Sequence, residues 1–397
     1  MTDIAERLAE LRDRGLHRRL RLVEGAQGPR VLLDGNEVLL LCSNDYLGLA
    51  GHPQVRKAAA EAAMRWGAGA GASRLISGNM QPHSQLEERL AAFKGYESAL
   101  LFGSGYLANT GTIAALASRG EVVFSDELNH ASIIDGCRLS RADTFVYRHA
   151  DLDHLAWGLR EADGRGALIV SDGIFSMDGD VAPLEGLTQL AREHRCRLMI
   201  DEAHATGALG PAGRGSVAAA GLSGEVDVVV GTLGKALGSY GAYVCAGAGL
   251  RDYLINAARP FVFSTAPPPP AVAAGLAALE LLEAEPRRVE RLAQNAATLR
   301  QALAAEGLAA SGSQTQIVPL GVGEAEPTME LCERLLEGGV FAQGIRPPTV
   351  PEGSSRLRFT VMATHRAAEL RAAARLVGSA ARELGIARAA PAVAVAA

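Results

Sequence analysis

A chain of 397 residues with 48% apolar and 21% charged side chains exceeds one ordinary domain and can bury a large core, which excludes a disordered or fibrous polypeptide. Its formal charge of -5 and pI near 6.0 give no general attraction to nucleic acid or anionic lipid, and they favour work on small molecules. Cys42, Cys137, Cys196, Cys245 and Cys332 are scattered and form no C-x-x-C pair, so they read as reduced core thiols with no metal site.

The N-terminus, MTDIAERLAELRDRGLHRRLRL, is charged from residue 3 and has no apolar segment of the secretory kind. No charge-free apolar run approaches the roughly 18 residues of a membrane span. A cytoplasmic protein without a membrane partner is the expectation. Ile4, Leu8, Leu11 and Leu16 lie at near-helical spacing and predict an amphipathic helix over residues 3–20. Short β-like runs follow at 30–33 and 38–41, then the loop CSNDYLGLAGHPQV and a helix over 53–65.

From about residue 85 to 262, helical periodicity alternates with seven short apolar runs: SALLF, EVVFS, DTFVY, ALIVSD, RLMIDE, VDVVVG and GAYVCAG. Strands with little internal alternation, separated by helices, predict an α/β fold whose mostly parallel sheet is covered on both faces. Ligands on such sheets sit beyond the carboxyl ends of the strands. The four prolines after PFVFSTA break the pattern, and a long Ala/Leu-rich helix over 271–306 follows, with a break available at Pro286. Then come the strand QIVPLGV, a helix near 327–338, the Pro-rich GIRPPTVPEG, the strand RLRFTV and a final helix from 366. Four segments result: 1–45 with a helix and short strands, 46–265 as the large α/β domain, 266–386 as a smaller α/β domain, and a low-complexity tail at 387–397 expected to be disordered.

The unusual polar residues gather where strands end. Lysine occurs only at 57, 94 and 235, and Lys235 follows the run Val228, Val229, Val230 inside the Gly-rich loop GTLGKALGSYG. In a chain whose other cations are nearly all arginines, a lysine in such a loop suggests an amine used for chemistry, because lysine, unlike arginine, loses its proton when buried. Asp201 ends the preceding strand in RLMIDEAHATG, with His204 beside it. The letters DEAH resemble a metal-binding box of nucleic-acid helicases. That reading needs an upstream G-x-x-x-x-G-K-[ST] loop, whereas the only Gly-Lys pair lies downstream and is followed by Ala236. GAGAGA at 67–72 is similar to a dinucleotide fingerprint but follows a helix and not a strand.

A carboxylate at one strand end and a lysine at the next suit pyridoxal phosphate: the amine forms a Schiff base, and the acid keeps the pyridine nitrogen protonated. FGSGYLANTGT supplies a strand, a turn and a helix start at Gly105 and Tyr106, where backbone amides attract an anion. Thr232 and Ser176 are further hydroxyl donors at strand ends, and His130, in DELNHASIIDG, is placed to stack on a planar ring.

With SNDYLGL, GSGYLAN, NHAS, FSMDGD, DEAHATG and TLGKALG in this order, the chain resembles the α-oxoamine synthases, fold-type I pyridoxal-phosphate transferases of the aspartate aminotransferase-like kind. The resemblance spans about residues 16–380. It implies Lys235 as the Schiff-base lysine and general base, Asp201 as the pyridine partner, His204 as a hydrogen-bond donor to the ring hydroxyl and His130 over the ring. It also implies cofactor contacts from Ser176 and Thr232, phosphate contacts from Gly105 and Tyr106, and an amino-acid carboxylate held by Arg358. Thr349 and Arg18 would face the acyl substrate, with Arg19 and Arg21 in the same charged run as alternatives to Arg18. GIRPPTVPEGSSRLRFT looks like the members that join L-alanine to a pimeloyl group carried on CoA or on acyl carrier protein. A homodimer is implied too, with FSTAP (263–267) reaching the neighbouring subunit's cofactor phosphate. Two alternatives keep the fold: a synthase taking glycine and acetyl-CoA, and an aminotransferase.

Overall fold

All seven apolar runs become strands of one sheet. In the computed structural model, which describes residues 3–310 and 312–386, the strands lie side by side in the order Ser98–Phe102, Ala242–Ala246, Val228–Thr232, Arg197–Asp201, Gly166–Asp172, Val122–Asp126, Asp143–Tyr147. Ala242–Ala246 runs antiparallel to both neighbours, and the other pairings are parallel. Every residue of Ser98–Phe102, Val122–Asp126 and Ala242–Ala246 is buried, which is why these strands read as continuous apolar runs. Asp143–Tyr147 is one of the two edge strands, and only Tyr147 of it is buried.

Helices between the parallel strands return the chain to the opposite end of the sheet, so the carboxyl ends of all strands but Ala242–Ala246 open on one side. The loops after them carry His130, Ser176, His204 and Lys235. This sheet and its helices form a unit made of Asn44–Ser176 and Asp180–Glu290. Helix Pro53–Trp66 begins at the His52 cap and at Pro53, and it stops at Gly67, whose φ of 89° places the first glycine of GAGAGA at a helix end.

The second unit holds Met177–Gly179 with the described residues before Asn44 and after Glu290. Its first sheet pairs Val23–Glu24, Arg30–Leu33 and Asn36–Leu40 antiparallel, with Val340–Phe341 added parallel to Asn36–Leu40. Val31, Leu33, Val38 and Leu40 form its core. A three-stranded antiparallel sheet places Ser355–Thr360 between Ile317–Gly323 and Gln343–Ile345.

Three boundaries differ from expectation. The N-terminal helix covers only Ile4–Asp13, because Gly15 takes a φ of 63° and ends it before the arginine run. Helix Pro269–Ala284 is separated at Pro286 from Arg287–Ala305 and packs on helices Pro53–Trp66 and Gln81–Lys94. It therefore belongs with the large sheet, and the compact units divide at Glu290 and Arg291 where the sequence suggested 265/266. Burial of its Val272, Gly275, Leu279 and Leu282 explains this placement. The parallel pairing of Val340–Phe341 with Asn36–Leu40 likewise joins the N-terminal segment to the C-terminal one. The tail at 387–397 lies outside the described residues.

Candidate active site

Asp172 and Asp201 are register partners on adjacent parallel strands, so the sheet itself sets two carboxylates side by side. Asp201 is buried and held from two directions: its Oδ2 accepts from Asn109 Nδ2 at 2.6 Å and its Oδ1 from the Ala203 amide at 2.8 Å. Asp172 is buried too, and its Oδ2 accepts from the His130 amide at 2.8 Å. Burial raises the Asp172 carboxyl well above the usual range, and the neighbouring Asp201 charge adds to the shift.

The loop after Val228–Thr232 turns Lys235 back toward the loop after Arg197–Asp201. Lys235 Nζ lies 2.8 Å from His204 Nε2. Thr232 shapes that loop: its hydroxyl donates to the Gly241 carbonyl at 3.1 Å and accepts from the Gly234 amide at 3.1 Å. His130 caps helix Ala131–Ser140, and its Nδ1 meets Ser132 Oγ at 2.7 Å. Crowding by surrounding atoms lowers the His130 pKa, and Lys235 lowers it further, against an opposing pull from Asp201. A neutral imidazole beside an amine and a carboxylate results.

Helix Gly105–Leu116 starts at Ser104, whose Oγ accepts from the Leu107 amide at 3.2 Å. The first amides of a helix have no partner within it, and a Cβ at Gly105 would meet nothing within 4 Å, so room for an anion exists there. The Tyr106 side chain is half exposed and donates to Asp135 Oδ2 at 2.7 Å, so it points its hydroxyl at the next helix. Ser176 is half buried in the loop after Gly166–Asp172.

Several residues that serve this site lie inside the quoted motifs but were given no role from the sequence. Asn109 orients Asp201 and also donates to Ser132 Oγ at 2.8 Å. Tyr46, fully buried, lies 2.6 Å from His204 Nδ1. Glu202 of DEAH pairs with Lys94 and accepts from Ser216 Oγ at 2.8 Å and the Val217 amide at 2.7 Å, so it fastens the loop from within. Among the described residues, no group of three or more His, Cys, Asp or Glu side chains is placed to hold a metal ion.

His149 bridges Asp126 Oδ1 at 3.0 Å and Asp180 Oδ2 at 2.9 Å, tying the turn beyond Ser176 to a strand end. Burial disfavours its charge, but the two carboxylates prevail and raise its pKa from 6.5 to about 10. A histidine raised on folding stabilises the fold fully below its unfolded value. That contribution shrinks above it and is gone once pH passes the folded value. Denaturant titrations at pH 6, 8 and 10 are therefore expected to show a stability decline with rising pH that His149→Gln largely removes.

Three predicted residues belong to the other unit. Arg18 and Thr349 line one groove of about 660 Å³, together with His17, Arg21, Glu333 and Arg346. Arg21 is committed to Glu333 at 3.0 Å and Asp34 at 3.5 Å, and Arg19 reaches Glu333 at 3.8 Å. Arg18 makes no ion pair among the described residues and is exposed. Arg358 is buried on the central strand of the three-stranded sheet, opposite Pro319 and Gln343.

Residues 36–377 match the family model described as aminotransferase class I and II. A high-resolution structure of SPT carrying a PLP internal aldimine superposes with a TM-score of 0.92 at 32% identity, over 97% of this chain and 98% of that one. Fold and site together define a fold-type I pyridoxal-phosphate enzyme. The 8-amino-7-oxononanoate synthase of Citrifermentans bemidjiense is 54% identical over 97% of this chain and all of its own length. The crystal structure of the enzyme of that name from Francisella tularensis gives a TM-score of 0.76 at 29% identity, over 88% of this chain and 99% of that chain. The chain belongs to the 8-amino-7-oxononanoate synthase family, pyridoxal-phosphate-dependent acyltransferases within the class I and II aminotransferases.

The residues present fit that cofactor. An amine, a buried carboxylate, a neutral imidazole and a helix start with room beside Gly105 are the donor set a pyridine aldehyde phosphate needs.

Proposed function

We propose that this chain condenses L-alanine with a pimeloyl thioester, on CoA or on acyl carrier protein, to give 8-amino-7-oxononanoate, carbon dioxide and the free thiol. Support comes from the relatives that bear that enzyme's name. The single observation that carries the residue roles is Lys235 Nζ on His204 Nε2, one strand from the buried Asp201.

Asp201 would hold the ring nitrogen, His204 the ring hydroxyl, Lys235 the aldehyde carbon and His130 the ring face. The Gly105 and Tyr106 amides would take the phosphate, with hydroxyls of Ser176 and Thr232 alongside. Pyridoxal phosphate supplies an electrophilic carbon and a ring that spreads negative charge. Lys235 moves the Cα proton of alanine as general base. Asp201, kept in place by Asn109 and the Ala203 amide, balances positive charge at the ring nitrogen. His130 can deliver a proton to the product carbon from its protonated form, which burial makes a stronger acid by lowering its pKa. Arg358 grips the alanine carboxylate through its guanidinium fork.

Arg18 is the arginine assigned to the acyl substrate, because Arg21 and Arg19 already face Glu333. Arg18→Ala is expected to raise the KM for pimeloyl-CoA by roughly ten- to a hundredfold, the range for a lost charge-assisted hydrogen bond, with the KM for alanine unchanged. Steady-state kinetics with each substrate varied checks this. The reading also includes a cytoplasmic homodimer in which FSTAP approaches the partner's cofactor phosphate.

Incubation of the purified protein with L-alanine and pimeloyl-CoA, followed by mass spectrometry and carbon dioxide release, tests the reaction. A product of the mass of 8-amino-7-oxononanoate is expected. Preference for glycine with acetyl-CoA, or a keto acid formed without carbon dioxide, overturns it.

A further inference from the structure

The parallel ladder between Val122–Asp126 and Gly166–Asp172 ends where Ser125 faces Val170. Beyond that point a side chain makes the pairing. Asn129, buried in the loop after the first of these strands, donates through Nδ2 to the Val170 carbonyl and to Ser125 Oγ, both at 2.9 Å, and its Oδ1 accepts from the Asp172 amide at 2.8 Å. A carboxamide carries the donor and acceptor of a peptide group, so Asn129 extends the ladder by one step between the two strand ends.

Asp172 grips the next residue as well. Its Oδ2 accepts from the His130 amide at 2.8 Å, so one strand end holds two consecutive loop residues: the Asp172 N–H goes to the Asn129 side chain, and the Asp172 carboxyl takes the His130 N–H. On the far side helix Ala131–Ser140 starts at once, and the Ser132 amide donates to His130 Nδ1 at 3.3 Å. The His130 backbone is therefore fixed from both directions. Asp172 also neighbours Asp201 across the next ladder, where a charge on it would act on that carboxylate. Burial and the Asp201 charge raise the Asp172 carboxyl well above the usual range, and a carboxyl protonated at neutral pH acts through its hydrogen bonds.

We propose that Asp172 is a positioning residue for His130: its carboxyl oxygen, and its amide acting through Asn129, fix the backbone on which the imidazole stands and so set where that ring meets the cofactor. The proposal rests on the reading of His130 as the group over the cofactor ring.

Titration of the full-length cofactor-free protein with pyridoxal phosphate, followed by quenching of its tryptophan fluorescence, gives the dissociation constant without any substrate. His130→Ala is expected to raise it roughly three- to tenfold, the range for a lost aromatic ring contact. Asp172→Leu fills the space without an acceptor and is expected to raise it by a similar factor. Asp172→Asn keeps an acceptor for the His130 amide and should stay within about twofold of the parent protein. In the His130→Ala background Asp172→Leu should add about 1.5-fold at most, because the ring it positions is gone. A full separate loss in that background overturns the proposal, and so does an Asp172→Asn as weak as Asp172→Leu, which would assign the effect to charge beside Asp201. Should Asp172→Leu fail to fold, Asp172→Asn decides alone: affinity within about twofold supports the proposal, and a loss as large as that of His130→Ala overturns it. Unchanged affinity in His130→Ala rejects the reading of His130 and the proposal with it, whereas independent losses at 130 and 172 reject the proposal alone.

Discussion

Lys235→Ala is expected to cut turnover by at least about 10⁴-fold, since one nitrogen both anchors the cofactor and moves the substrate proton. The loss falls on kcat, because the groups assigned to the phosphate and ring at Gly105, Tyr106 and Asp201 stand on other strands and helices and remain in place. Lys235→Arg should fare no better. A guanidinium stays protonated at any working pH and cannot act as base. Single-turnover measurements with saturating alanine check this, and a fall of less than tenfold would remove Lys235 from the chemistry.

Breaking the Lys94–Glu202 pair carries the largest expected effect on stability. Both side chains are almost completely buried, and Glu202 also accepts from Ser216 Oγ and the Val217 amide. Removing one partner leaves an uncompensated charge inside the protein, which costs about 3–5 kcal/mol. Domains are stable by only about 5–15 kcal/mol, so Lys94→Met should lower the melting temperature by several degrees or prevent folding. Lys94→Met combined with Glu202→Gln is expected to recover part of the loss, since the stranded charge disappears while an acceptor for Ser216 and Val217 remains. Thermal unfolding of the two variants beside the parent protein checks the order. A double variant less stable than Lys94→Met would contradict it.

The sheet was legible in the sequence because its strands are buried on both faces and therefore read as unbroken apolar runs, Ser98–Phe102 and Val228–Thr232 among them. Lys235 and Asp201 stood out as polar residues at the ends of such runs. Other features hid for physical reasons. Lys94 closes helix Gln81–Lys94, where a lysine ordinarily faces solvent and complements the helix dipole, so nothing marked it as buried. Tyr46 lies in a loop whose contact with His204 is set by tertiary folding alone. Asn109, inside helix Gly105–Leu116, reaches Asp201 only because that helix crosses the strand end. His149 and Asp180 meet across loops, and although Asp180 closes FSMDGD, nothing in the sequence paired it with a histidine 31 residues earlier. The arginine run at 18–21 was ambiguous because neighbouring guanidinia look alike in sequence, and only Glu333, brought in by a distant helix, separates Arg21 and Arg19 from Arg18.

Borohydride reduction of the enzyme loaded with pyridoxal phosphate, followed by digestion and peptide mass spectrometry, addresses the heart of this account. A single pyridoxyl group on the peptide containing Lys235 is predicted. Label on Lys57 or Lys94, or a peptide map without any, would contradict it.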